Sequence, residues 1–254
     1  MILRRVIAHF RKQEWTAIAI DFVIVVLGVF LGLQVNTWNE VRKDRATARS
    51  YLERIGADLD ADIASLEDRL SFWSKVSDYG AAGLAYAETG ATGDRTKWEL
   101  LLSFFQASQL AEFEPVATTY EEMKSAGALG LIADVRLRGE LGRYHISARN
   151  PSLRERPAYR EHVRGMIPHA VQLYVWRTCY DTDIDVQRLL DCAPPLDDAA
   201  AAAIVERIAG DEALMGELRY WMSTMRVAGL ISRNALGEAR QLRAKVDAAL
   251  GERP

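Results

Sequence analysis

The chain has 254 residues, enough for an anchor plus one or two compact domains. With 49% hydrophobic and 26% charged residues it is not a disordered polymer, and a net charge of −3 argues against a dedicated nucleic-acid binder. Prolines are few, at seven, and strand-like alternation is hard to find, so the predicted fold class is all-α: one N-terminal transmembrane helix followed by a helical-bundle extracytoplasmic domain.

The opening "MILRRVIAHFRKQEW" mixes Ile2, Leu3, Val6, Ile7 and Phe10 with Arg4, Arg5, Arg11 and Lys12. Residues 1–14 thus read as a basic amphipathic helix on an anionic membrane surface, or simply as a positive flank that sets orientation. The apolar run that follows, Phe22 to Leu33, covers twelve residues, roughly 18 Å of helix, too short alone for a hydrocarbon core of about 30 Å. Counted from Trp15 to Trp38 it has 24 residues, roughly 36 Å, with an indole at each interface. That predicts a spanning helix over 15–38 rather than a buried core helix. No small-residue cleavage site follows the run, so the span is expected to be retained rather than removed as a signal peptide.

Positive charge does not orient the span, because Arg4, Arg5, Arg11 and Lys12 before it balance Arg42, Lys43, Arg45 and Arg49 after it. The only two cysteines, Cys179 and Cys192, flank a short polar stretch and suit a disulfide in an oxidising compartment; two unpaired buried thiols are the other reading. The disulfide reading puts the N-terminus in the cytoplasm and the rest in a bacterial periplasm.

On a helix turning about 100° per residue, Asp21, Val25, Gly28, Gly32, Val35, Asn36 and Asn39 share one stripe. Gly28 and Gly32 form a G-x-x-x-G pair that lets two backbones approach. An ionisable group in a span is costly unless paired, protonated or wetted, so Asp21 is expected to face protein. The predicted helix interface is therefore Asp21, Gly28, Gly32, Asn36 and Asn39, with a second copy or another transmembrane protein as the partner. A position near the headgroups would also make the acid cheap.

"DFVIVVLGVF" resembles the span of single-pass partners in bacterial proton-driven motors, where an early aspartate carries protons against a larger channel subunit. Nothing after it resembles a peptidoglycan-binding domain. "LGVFLGLQVNTWNE" and "ATTYEEMKSAGALGLIADVRLRGELGRYH" (117–145) resemble a widespread family of bacterial single-span proteins of unknown function. In that family an acid opens the span and L-Q-[IV]-N-x-W-N-E closes it. The two patches cover 43 of the 254 residues, about a sixth of the chain. The resemblance implies an anchor, a helical extracytoplasmic domain and an acid at position 21, and no chemistry.

Beyond the span, Leu52, Ile55, Leu59, Ile63, Leu66, Leu70, Trp73, Val76 and Tyr79 recur at steps of three and four, with Asp58, Asp60 and Asp62 in the gaps. This predicts an amphipathic helix within 39–93, either a coiled-coil stalk or, preferably, a helix packed on its own domain. Gly80, Gly83, Gly90 and Gly93 mark its end. Residues 94–254 form the predicted helical bundle. Asp94 is the candidate cap for a helix holding Trp98 to Leu110, stopped by Pro115. Thr118 and Thr119 offer overlapping capping boxes with Glu121 and Glu122, Gly127 ends that helix, and Asp134 caps the next. This αα-hairpin outline is not read as a DNA binder.

Residues 134–164 carry eight arginines against four acids, and Arg149, Arg154, Arg156 and Arg160 form the candidate anion-binding face. Solvated helix faces with intrachain ion pairs are the plainer reading. Pro168 should kink or restart a helix carrying Tyr174 and Trp176. In "CYDTDIDVQRLLDC" Asp181, Asp183 and Asp185 resemble the start of a calcium loop, but counted from Asp181 the sixth position is Val186 and the twelfth Cys192, so it fails as one and reads as a polar loop. Helices over 197–209 and 211–249 close the chain, the last with a stripe of Leu214, Leu218, Trp221, Met222, Met225, Leu230 and Ile231.

His145, His162 and His169 show no metal-ligand spacing, and no nucleophile elbow, Walker loop or dinucleotide motif occurs. The expectation is a non-enzymatic inner-membrane protein with no cofactor and no metal, an accessory or assembly subunit that associates through its span. The alternatives are a ligand-sensing periplasmic domain that signals through a partner, and a proton-carrying partner of a channel subunit.

Overall fold

The computed structural model describes residues 15–153, 156–183 and 186–251. The basic segment 1–14, Arg154 and Asp185 lie outside them. The described residues hold eight α-helices and one small hairpin, as expected for an all-α chain with one candidate span. The chain divides into two units, one ending at Tyr51 and the other beginning at Leu52.

In the first unit the helix α1 (Trp15–Thr89) begins at Trp15 and carries the apolar run. Ile20, Phe22, Val25, Phe30, Leu33 and Trp38 are each more than half exposed, which water would not tolerate over so long a surface. By length and composition the stretch is apolar enough to cross a membrane.

In the second unit the same helix contributes Leu52, Ile55, Leu59, Leu66, Trp73 and Val76 to the core. Three positions of the expected stripe, Ile63, Leu70 and Tyr79, are only half-buried; Phe72 is buried beside Trp73, and the buried position between Leu59 and Leu66 is Asp62. Asp62 accepts hydrogen bonds from the Val116 backbone N–H and the Tyr144 hydroxyl, both at 2.8 Å, which makes a carboxyl tolerable in the core. Gly80 and Gly83 do not end the helix. They lie inside it, where a Cβ would meet the Met222 side chain at 2.1 Å and the Phe104 ring at 2.8 Å, so they are close-approach glycines. The end comes at Thr89, followed by Gly90 and Gly93 with positive φ.

α2 (Lys97–Gln106) is the centre of the core, with Trp98 and Leu100 to Gln106 all buried. Thr96 and Glu99 close a capping box at its start, while Asp94, the expected cap, sits in the left-handed region at φ 65°. The helix stops at Ala107, well before Pro115. α3 (Thr118–Ser125), unlike α2, has no capping box, contrary to expectation: Ala117 is its N-cap, and the Thr119 N–H is taken by the Asp58 carboxylate of α1 at 3.2 Å. Gly127 follows it at φ 66°, and Asp134 caps α4 (Val135–Ser147), both as expected.

α5 (Ala158–Met166) packs against α2, and α6 (His169–Thr178) restarts after Pro168. The stretch expected as a loop between the cysteines is a hairpin, β1 (Tyr180–Thr182) antiparallel to β2 (Gln187–Leu189), with Tyr180 opposite Leu189. α7 (Asp198–Ala209), capped by Asp197, lies on α2, and α8 (Glu212–Gly251) runs past α4 and α5. Leu214, Leu218, Trp221 and Met225 are buried on α8, but Leu230 is half exposed; the buried stripe continues instead through Ala228, Ser232, Ala235 and Ala239. Small residues there bring α8 close to its neighbours, and the Asn150 amide donates to the Ala228 carbonyl at 2.9 Å and to the Ser232 hydroxyl at 3.1 Å.

Candidate functional site

The segment after α2 is irregular yet buried, so its backbone carbonyls need donors. Large side chains supply them. Trp221 Nε1 donates to Ala107 O, Trp73 Nε1 to Ala111 O, and the Tyr159 hydroxyl to Phe104 O at the end of α2. Two arginines of α5 complete the set. Arg160 donates to Ser108 O at 2.5 Å, and Arg164 donates to Ser108 Oγ at 3.0 Å and to Gln109 Oε1 at 3.1 Å. The Arg164 guanidinium also lies over the rings of Phe105 and Trp176, 4.9 and 5.1 Å from their centroids.

These arginines open on a cavity of about 580 Å³ lined by Arg69, Leu110, Glu112, Arg156, Arg160, Arg164 and Gln187. Arg160 and Arg164 sit one turn apart on α5, Arg156 precedes the helix, and Arg69 enters from α1. Gln187 belongs to the hairpin, which the Cys179–Cys192 disulfide ties to the end of α6. The Cys179 carbonyl in turn accepts from the Gln106 amide of α2 at 3.0 Å. The wall bearing Gln187 is therefore fixed both covalently and by the core.

Charge in this cavity is poorly balanced. The one acid on its lining, Glu112, is exposed, and it makes no ion pair with Arg156, Arg160 or Arg164. Burial, and after it the neighbouring Arg160, pull the Arg164 guanidinium down to about 9; burial and then Arg156 lower Arg160. A site with several guanidiniums, few carboxylates and a mainly polar lining is suited to an anion.

The structure therefore brings together two of the arginines expected on an anion face, Arg156 and Arg160. It directs Arg149 elsewhere, to an ion pair with Glu114 at 3.2 Å, because Arg149 follows α4 rather than sharing the α5 face. Arg154 lies outside the described residues. Arg164 and Arg69 complete the cavity. The four-residue spacing of 156, 160 and 164 was a signal for the former, whereas nothing local pointed to Arg69, which is far away in the chain.

On the span, Asp21, Gly28, Gly32, Asn36 and Asn39 are all helical and exposed. The Asn36 amide donates to the Glu40 carboxylate one turn on, at 2.9 Å. A Cβ at Gly28 or Gly32 would meet nothing within 4 Å, so no contact described in this chain asks for glycine at either position. His162 lies between Asp211 and Glu217, 3.5 and 3.1 Å away, and among the described residues no group of three or more side chains is placed to hold a metal ion.

No protein-family model matches the chain, and neither a curated protein nor a solved structure does.

Proposed function

We propose that this is a single-span protein of the bacterial inner membrane, anchored by residues 15–38, that displays its helical domain in the periplasm and serves as a non-enzymatic accessory or assembly subunit. It associates through the stripe of Asp21, Gly28, Gly32, Asn36 and Asn39 with a second copy or with another transmembrane protein. The observation that carries the reading is the exposed apolar stretch of α1, whose two glycines have no partner within the chain that explains them. Lipid accounts for the apolar surface, and a second helix at close range accounts for the glycines and for an acid among them. The disulfide supports an oxidising compartment for the domain and hence a cytoplasmic N-terminus.

The test is purification of the full chain from its native membranes in mild detergent, beside Gly32→Leu and Asp21→Leu. The reading expects a stoichiometric companion, a second copy or a multi-span protein, that both variants lose. Complexes that survive Gly32→Leu would sink it. Asp21→Asn separates a structural from a proton-carrying carboxyl, since an amide keeps the hydrogen bond but carries no proton.

A further inference from the structure

We propose that the cavity between α5, α1 and the disulfide-tied hairpin is a binding site for a small soluble phosphate or diphosphate ester, held by Arg156, Arg160, Arg164 and Arg69 with Gln187 as a neutral donor. This is independent of how the span associates.

Three observations carry it. The guanidiniums converge on one space from separate backbone positions, α1, the approach to α5, and successive turns of α5, about 6 Å apart in rise. Arg156, Arg160 and Arg164, which form no ion pair with a described carboxylate, repel one another, and a multiply charged anion removes that repulsion while satisfying their N–H groups; Arg69, 3.9 Å from Asp68, adds a fourth cation to the lining. The donors are also not exhausted. Arg164 commits two of its nitrogens to Ser108 and Gln109 and Arg160 one to Ser108, while Arg156 makes no hydrogen bond to any described residue. These bonds, one to a backbone carbonyl and two to side chains, thus orient the two half-buried guanidiniums and leave further N–H groups for a ligand.

The cavity's shape and lining narrow the class. Its volume, about 580 Å³, falls in the range of small-molecule sites, roughly 300–1,000 Å³, and exceeds what a lone ion fills. Guanidinium forks match the paired oxygens of a phosphoryl group, and their spread along α5 suits two charged groups or one elongated one. Leu110 is the only aliphatic side chain on the lining, which leaves no surface for an acyl chain and favours a soluble ligand over a lipid headgroup.

The experiment uses the full chain in a nonionic detergent, followed by thermal shift and calorimetric titration with inorganic pyrophosphate. Sodium chloride at matched ionic strength and micelles doped with phosphatidylglycerol serve as the other arms. The proposal expects saturable stabilisation by pyrophosphate, none by chloride, and at least about a tenfold loss of affinity in Arg156→Gln, the size of one charge-assisted hydrogen bond. Arg156 makes no hydrogen bond or ion pair to a described residue and repels Arg160, so the unliganded melting temperature of that variant should be no lower than that of the wild type. No response to pyrophosphate beyond chloride, unchanged affinity in Arg156→Gln, or a response to the anionic lipid alone would each overturn it.

Discussion

Asp62 is the residue on which the helical domain's pH behaviour turns. Its carboxyl is 1% exposed and faces the Tyr144 hydroxyl and the Val116 N–H. Burial outweighs both donors and raises its pKa from 3.8 to about 6, with a smaller push from Asp58. The folded chain therefore holds this proton more tightly than the unfolded chain does. Its contribution to stability is full below about pH 4 and is lost as pH rises through about 6. Asp62→Asn resembles the protonated form, so its stability relative to the wild type should climb between pH 4 and pH 7 in paired denaturant titrations. A difference that stays flat with pH would rule this out. Periodicity by itself places Asp62 well, since 52, 55, 59, 62 and 66 step by three and four. The charge on its side chain pointed to solvent, and only the Val116 N–H and the Tyr144 hydroxyl, 54 and 82 residues away, reverse that.

At the scale of elements, four glycines of α1 separate into two kinds. A Cβ at Gly83 would come within 2.8 Å of the fully buried Phe104 ring, which has nowhere to go. Gly83→Ala should therefore destabilise the domain by about 1–3 kcal/mol despite the gain in helix propensity. Gly80→Ala should cost less, because the atoms in its way belong to the flexible, half-buried Met222 side chain. Equal unfolding midpoints for Gly83→Ala and the wild type would refute the packing argument. The hairpin supplies a second element-scale case. The disulfide closes a short loop, with a separation of 13 residues, and its loss should cost about 3 kcal/mol on the loop-entropy account. Denaturation of Cys179→Ser/Cys192→Ser measures this directly, and a stability equal to wild type would contradict it. The pairing of two neighbouring cysteines could be read from the sequence. The strands could not, because three-residue strands lack a period long enough to see.

For the molecule as a whole, the two units obey opposite solvent rules. From Ile20 to Trp38 the large apolar side chains are outside, and from Leu52 onward most are inside, with Val135, Ile146 and Tyr220 the most exposed exceptions. On the single-span proposal the first unit lies in lipid or detergent, and Gly32→Leu concerns association rather than folding. A Cβ at that position meets nothing in the chain, so the variant should leave the unfolding of the helical domain unchanged while removing the companion.

The apolar span, the helical character of the rest, much of the stripe of α1, the cap at Asp134 and the cysteine pair all rest on short-range patterns of a few residues. They were determined by sequence alone, because each depends on a repeat or a turn that the local chain expresses by itself. The burial of Asp62, the capping of α2 by Thr96 rather than Asp94, the small-residue course of α8 and the gathering of Arg69 with Arg156, Arg160 and Arg164 were decided only by tertiary structure. In the clearest cases the energy comes from a group distant in the chain: a hydroxyl for a buried acid, buried carbonyls for two arginines, a guanidinium from another helix. A local pattern carries no record of such partners, since each residue taken alone is as well suited to solvent as to the place it occupies.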